Sequence, residues 1–167
     1  AGLESMWMGV ESGDEYAAND ILNRGLSNKQ LIEGARVFQK HNIKLFTQNL
    51  IGLPVAEPFK TDMKTLDLNI KIKPEFGWSS ILYPYPGTPI EAFARKSGHL
   101  DENQAFPETN KRTTLFKFSS PLEKRKIENL HKLFGIFVRF PVLRPAAEFL
   151  CSLPLFLLYR VIYYSWY

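Results

Sequence analysis

A chain of 167 residues is long enough for one ordinary domain, which runs to roughly 100–200 residues. Apolar residues at 45% and charged residues at 23% exclude a disordered or fibrous chain, and a net charge of +4 with short basic runs at Lys111-Arg112 and Lys124–Lys126 does not indicate a nucleic-acid partner. The single cysteine, Cys151, excludes an internal disulfide and any metal site built from several thiolates of this chain, and it suits a reducing, cytoplasmic setting.

The opening Ala1-Gly2-Leu3-Glu4-Ser5 has no charged-then-apolar leader and reads as the end of a connection into a strand, so the chain is expected to begin within a fold. Ser5 to Val10 is a short apolar run with the character of a strand buried on both faces. A short helical stretch is expected over Glu15–Leu22. Ser27-Asn28-Lys29-Gln30 is a capping box that starts a second helix, with Leu31, Ala35 and Phe38 on its apolar side and an end near His41-Asn42. Lys44–Ile51 reads as the next strand, stopped by Gly52-Leu53-Pro54 because proline cannot continue a central ladder. A helix over Thr61–Ile72 follows, with Met63, Leu66 and Ile70 at helical spacing, and then a third strand over Phe76–Tyr83. Thr88-Pro89-Ile90-Glu91 supplies an N-cap, a proline at the first helical position and a glutamate three residues on, so a helix runs to about Ser97 and stops at Gly98.

Three strand-then-helix units in succession imply an α/β fold with right-handed crossovers and a parallel sheet, open or curved into a barrel. Periodicity does not choose between those two. Beyond Leu100 the pattern changes: residues 101–118 are polar and irregular, and helices are expected near 121–140 and 145–167, the first opened by Ser120-Pro121-Leu122-Glu123. The expected organisation is therefore three βα units over 1–100, a linker over 101–120 and a helical tail over 121–167. The longest apolar run, Leu153–Tyr167, is only fifteen residues and contains Arg160, short of the roughly 18–20 apolar residues that a spanning helix needs.

Ligands of parallel α/β folds bind at the C-terminal ends of the strands, so the residues that close each apolar run are weighed first. In Gly9-Val10-Glu11-Ser12-Gly13 a carboxylate follows a strand between two glycines that permit close backbone approach; Glu11 can accept hydrogen bonds from ribose hydroxyls, or it can cap the helix that follows. In Gln48-Asn49-Leu50-Ile51 amide side chains are embedded in an apolar strand, where neighbouring strands and a ligand are equally suitable partners. Tyr83-Pro84-Tyr85-Pro86-Gly87 puts rings and a rigid turn at a strand end, suited to stacking on a base or to packing a core. The three histidines stand apart, without acids or Cys151 at ligand spacing, and are expected at the surface. Cys151 lies in Phe149–Leu153 and reads as a buried, inert thiol.

Four strings taken in order, Met8–Glu15, Asn23–Ser27, Asn49–Pro54 and Tyr83–Thr88, resemble the second half of the barrel of the radical S-adenosylmethionine (SAM) superfamily, in particular the group whose barrel follows a cobalamin-binding domain. The resemblance covers about residues 1–100 and implies a partial (β/α) barrel of the radical-SAM type. It implies that Glu11 binds the SAM ribose and that Arg24 pairs with the SAM carboxylate, to which a guanidinium is suited by its bidentate geometry. The plainer role for Arg24 is a helix-end cation. By the same resemblance Gln48 and Leu50 face the ribose and adenine, and Tyr83 lies beside the adenine. A full-length parent would use SAM, a [4Fe-4S] cluster and, in that group, cobalamin. It would form a 5′-deoxyadenosyl radical and abstract hydrogen from a small-molecule substrate, for methylation, cyclisation or related chemistry.

The chain departs from the family where Val55-Ala56-Glu57-Pro58 follows Gly-Leu-Pro in place of glycine and acids, and where the Cys-x-x-x-Cys-x-x-Cys loop and an Asp-x-His-x-x-Gly cobalamin motif are missing. It is thus not expected to cleave SAM by itself, and the missing N-terminal half of the same protein is its first expected partner. The alternatives are a non-catalytic half-barrel remnant and a peripheral membrane-associated binding protein that contacts a membrane through residues 145–167, a segment apolar nearly all round.

Overall fold

The computed structural model describes residues 2–106 and 113–166; the Lys111-Arg112 run and the middle of the 101–120 segment lie outside the described residues. The first strand, β1, is Ser5–Glu11, and it is followed by a wide π turn over Ala17–Ile21 in which Leu22 N–H reaches back to Ala17 O at 3.0 Å. Asp14 opens that turn by accepting the Ala17 N–H at 2.9 Å. Helix α1, Asn28–Lys40, begins at the expected capping box: Ser27 Oγ accepts from Gln30 N, and Gln30 Oε1 accepts from Ser27 N at 2.9 Å.

Strand β2 is Lys44–Ile51, as expected. Helix α2, Pro58–Ile72, starts three residues before the expected Thr61, because Pro58 occupies its first turn, where no N–H is needed. Strand β3, Phe76–Ile81, stops two residues short of the expected Tyr83. Leu82 N–H still bonds to Ile51 O at 2.9 Å, but Tyr85 N–H turns back to Tyr83 O across Pro84, which has no N–H to offer a ladder. Helix α3 is Pro89–Lys96, capped by Thr88, with Gly98 in the left-handed region after it.

Helix α4, Pro121–Arg139, is capped by Ser120. The single helix expected over 145–167 is instead three pieces: a 3-10 segment over Pro141–Ala146, α5 over Ala147–Ser152 and α6 over Phe156–Trp166. The break falls at Leu153-Pro154-Leu155, where buried Asn129 of α4 donates to the carbonyls of Cys151 at 2.9 Å and Leu153 at 3.0 Å and so satisfies the end of α5. Tyr159 then folds α6 back, its hydroxyl donating to Leu150 O at 2.8 Å.

The three strands are parallel and lie in sequence order, β1-β2-β3. One face of the sheet, carrying Leu45, Thr47, Asn49 and Ile51 with Gly77, Ser79 and Ile81, is buried beneath α1, α2 and α4. Leu31 and Ala35 of α1 meet Leu45 and Leu68 there, and Met63 and Leu66 of α2 meet Phe134 and Phe137 of α4. Gly13 is needed for the close approach of the β1 exit to α2, since an added Cβ would lie 2.3 Å from Lys64 O. The other face is open and carries Trp7, Gly9, Phe46, Gln48, Leu50, Trp78 and Ser80. The connection after Leu100, expected to be polar and irregular, packs beyond the ends of β2 and β3 with Leu53 and Leu82 and buries Leu100, Thr114 and Phe116.

Candidate functional site

Consecutive parallel strands place their C-terminal ends side by side, so Glu11, the Gln48–Leu50 segment and the Tyr83 turn share one rim. The alternation puts Gln48 and Leu50 on the open face, with Asn49 between them pointing the other way. Asn49 is fully engaged in the interior: its Nδ2 donates to Trp78 O at 2.7 Å, and its Oδ1 accepts from Asn69 Nδ2 at 2.6 Å. The amide-bearing strand therefore divides its labour, Asn49 serving the sheet and the exposed Gln48 side chain making no hydrogen bond among the described residues.

Glu11 ends β1 at φ +62°, beyond a shift of register between Gly9 and Glu11. It caps no helix; that task falls to Asp14 and Ser27. Its carboxylate instead turns back over Gly9, where a Cβ would meet Glu11 Oε1 at 2.9 Å and Arg24 Nη2 at 3.0 Å. Arg24 stands in the loop between the π turn and α1, not in a helix, and its Nη2 donates to Gly9 O at 2.9 Å while Nη1 lies 3.9 Å from Glu11 Oε1. Partial burial pushes the Glu11 carboxyl above its usual range, and the Arg24 guanidinium pulls it only part of the way back. At 3.9 Å, without a hydrogen bond between them, the pair is loose, which explains why burial wins.

Gln48 has Gly9 on one side and Trp78 on the other, so it stands between this charged corner and an aromatic hollow. The hollow has a volume of about 610 Å³, within the range of ligand sites, and Leu50, Trp78, Ser80 and Tyr83 line it together with Leu22 of the π turn and Tyr163 of α6. The Tyr83 ring packs 4.9 Å from Tyr85 and 6.3 Å from Phe106. On the same face, below Gln48, Trp7 lies 5.2 Å from Phe46 and 6.0 Å from Trp78. Glu11 and Arg24 are thus brought together, Leu50 and Tyr83 share one hollow, and Gln48 joins the two parts.

Trp78 and Ser80 escape the sequence reading. Their signal is cross-strand register, which places them beside Gln48 and Leu50 and is not visible until the strands are paired. His131 corrects an expectation, since it is buried, not at the surface. Its Nδ1 is 3.3 Å from Ser79 Oγ, and burial followed by the neighbouring Lys132 lowers its pKa to about 4. Cys151 is buried as expected, its thiol pushed up to about 12 chiefly by burial. A second large cavity, about 540 Å³, lies between α2 and α4, but its cations are already paired, Lys60 with Glu57, Lys126 with Glu148 and Arg144 with Asp67.

The fold and the rim define an α/β protein with a three-stranded parallel sheet and one open face. No protein-family model matches the chain, and no match was found among curated proteins.

Proposed function

We propose that the open rim is the ribose, adenine and methionine-carboxylate side of a SAM site, carried on three βα units of a radical-SAM-type barrel. The observation that carries this reading is the corner at Gly9. There a guanidinium and a carboxylate lie together on the open face, in one row with Gln48 and Trp78. Arg24 would meet the ligand carboxylate with the Nη1 side that no backbone oxygen occupies, and Glu11 would accept the ribose hydroxyls. Leu50 and Tyr83 would hold the adenine, and Gln48 would bridge the two halves of the ligand.

A [4Fe-4S] cluster does not fit the residues present. The chain has one cysteine, buried in the tail with a thiol at about 12, and no group of three metal-ligating side chains among the described residues could hold an ion. This chain's own share of the work is to bind and orient the adenosyl ligand. The same cysteine count favours a second reading, a binding module without turnover.

The test is selectivity by ligand part. With nuclear magnetic resonance, Arg24→Ala should weaken S-adenosylhomocysteine by about tenfold, the order expected of a charge-assisted bond, and leave adenosine unchanged. Glu11→Ala should weaken both. Equal effects of Arg24→Ala on the two ligands would remove the carboxylate assignment.

A further inference from the structure

Lys132 of α4 is only 6% exposed, and a lysine buried so deeply ordinarily sits against an acid. Its ammonium has three protons to give. Among the described residues it gives one to the Glu128 backbone carbonyl at 2.8 Å and makes no ion pair. The Glu128 carboxylate attracts it from farther off, and its Oε1 accepts from Thr114 N–H at 3.3 Å. The other neighbour is the Phe156 ring, 4.6 Å from Nζ, whose face offsets part of the charge. Burial lowers the Lys132 pKa in spite of these contacts.

The ammonium lines a pocket between α4 and α6. Phe156, Arg160, Tyr163 and Tyr164 stand at helical spacing on α6, and with Lys132 and His131 they line a space of about 80 Å³. It is far smaller than the hollow of about 610 Å³ and suits one small group. Two of its walls are cations, and burial holds His131 neutral. No carboxylate lines the pocket among the described residues. Arg160 is exposed, its guanidinium 5.8 Å from the Tyr164 ring, and it too makes no ion pair among the described residues.

We infer that this pocket is a phosphate site, with Lys132 in its wall and Arg160 on its exposed side, for the free ion or the phosphate group of a small organic molecule. Charge and hydrogen bonding select the ligand together. A phosphate monoester carries about −1.5 to −2 near neutral pH, which two cations balance, whereas a carboxylate brings one charge. Phosphate oxygens also give the buried ammonium the acceptors that the backbone does not supply. The inference is independent of the SAM reading, since neither Lys132 nor Arg160 lines the hollow.

Nuclear magnetic resonance titration of the full chain with inorganic phosphate tests it, ionic strength being held constant with sodium chloride. Saturable shifts should gather at Lys132, Phe156 and Arg160, and acetate should bind about tenfold more weakly. Arg160→Gln alters an exposed position, so it should weaken phosphate at least about tenfold with the circular dichroism melt unchanged. Lys132→Met puts an apolar chain where a charge is buried; it should abolish the shifts and leave the melt no lower. Lys124→Gln, on α4 outside the pocket, should bind phosphate like the unaltered chain. Glycerol phosphate binding at least as tightly as phosphate would make the ligand a monoester, and its exclusion would make it the free ion. Shifts no larger with phosphate than with chloride, or undiminished phosphate binding in either the Arg160 or the Lys132 variant, would overturn the inference.

Discussion

Gly9 and Glu11 show how much a single position can settle. Because residue 9 has no side chain, Arg24 can reach Gly9 O and lie against Glu11; because Glu11 adopts φ +62°, its carboxylate turns back over the sheet and not out towards a helix end. His131 works in the opposite sense, as a titratable group held neutral in the core beside Ser79. Its folded value of about 4 lies below the unfolded value of about 6.5, so the unfolded chain takes up the proton first. The stability it contributes is full above the unfolded value and is lost as pH falls from there towards 4, by about 3 kcal/mol in all. Asp62, whose pKa burial raises well above the carboxylate range, acts with the opposite sign over its own window. Urea melts from pH 7 to 4 should therefore be compared between the unaltered chain and His131→Gln, which should lose stability less steeply. Parallel slopes would show that His131 does not titrate in this way.

At the scale of elements, capping chemistry made most of the chain legible. Ser27, Thr88 and Ser120 each start a helix where the sequence places one, and β2 has the expected bounds. What escaped was partly long-range. The burial of His131 depends on α4 packing against β3, which has no local signature, whereas the break before α6 has one in Pro154, with Asn129 then satisfying the end of α5. The candidate site was half legible: residue types at strand ends pointed to Glu11, Gln48 and Tyr83, the resemblance alone pointed to Arg24 and Leu50, and Trp78 and Ser80 join them only through register. The turn after β2 offers a clean test, since both carboxyl oxygens of buried Asp62 lie 3.0 Å from Gly52 N. Asp62→Asn keeps an acceptor there without a charge and should be nearly neutral, whereas Asp62→Ala strands the buried N–H and should cost about 1–3 kcal/mol in urea denaturation. An equal loss in both variants would mean that the bond to Gly52 does not matter.

The whole molecule is a sheet covered on one side. Trp7 and Trp78 remain 47% and 39% exposed on the other, and β1 and β3 each have one neighbour in the sheet. Such edges and faces invite association. Sedimentation velocity should show concentration-dependent self-association that Trp7→Lys with Trp78→Lys reduces; a monodisperse monomer with a sharp cooperative melt would contradict this. The same open face is the ground of the functional reading, because a rim is accessible to an adenosyl group only where helices do not cover it. The most direct measurement is a map of amide shifts on adding S-adenosylhomocysteine at concentrations on the order of 1 mM, where binding of about −4 kcal/mol is half-saturated. Shifts gathered at Gly9, Glu11, Arg24, Gln48, Leu50 and Tyr83 are the predicted result, and shifts scattered over the helix layer, or none at the rim, would contradict the account.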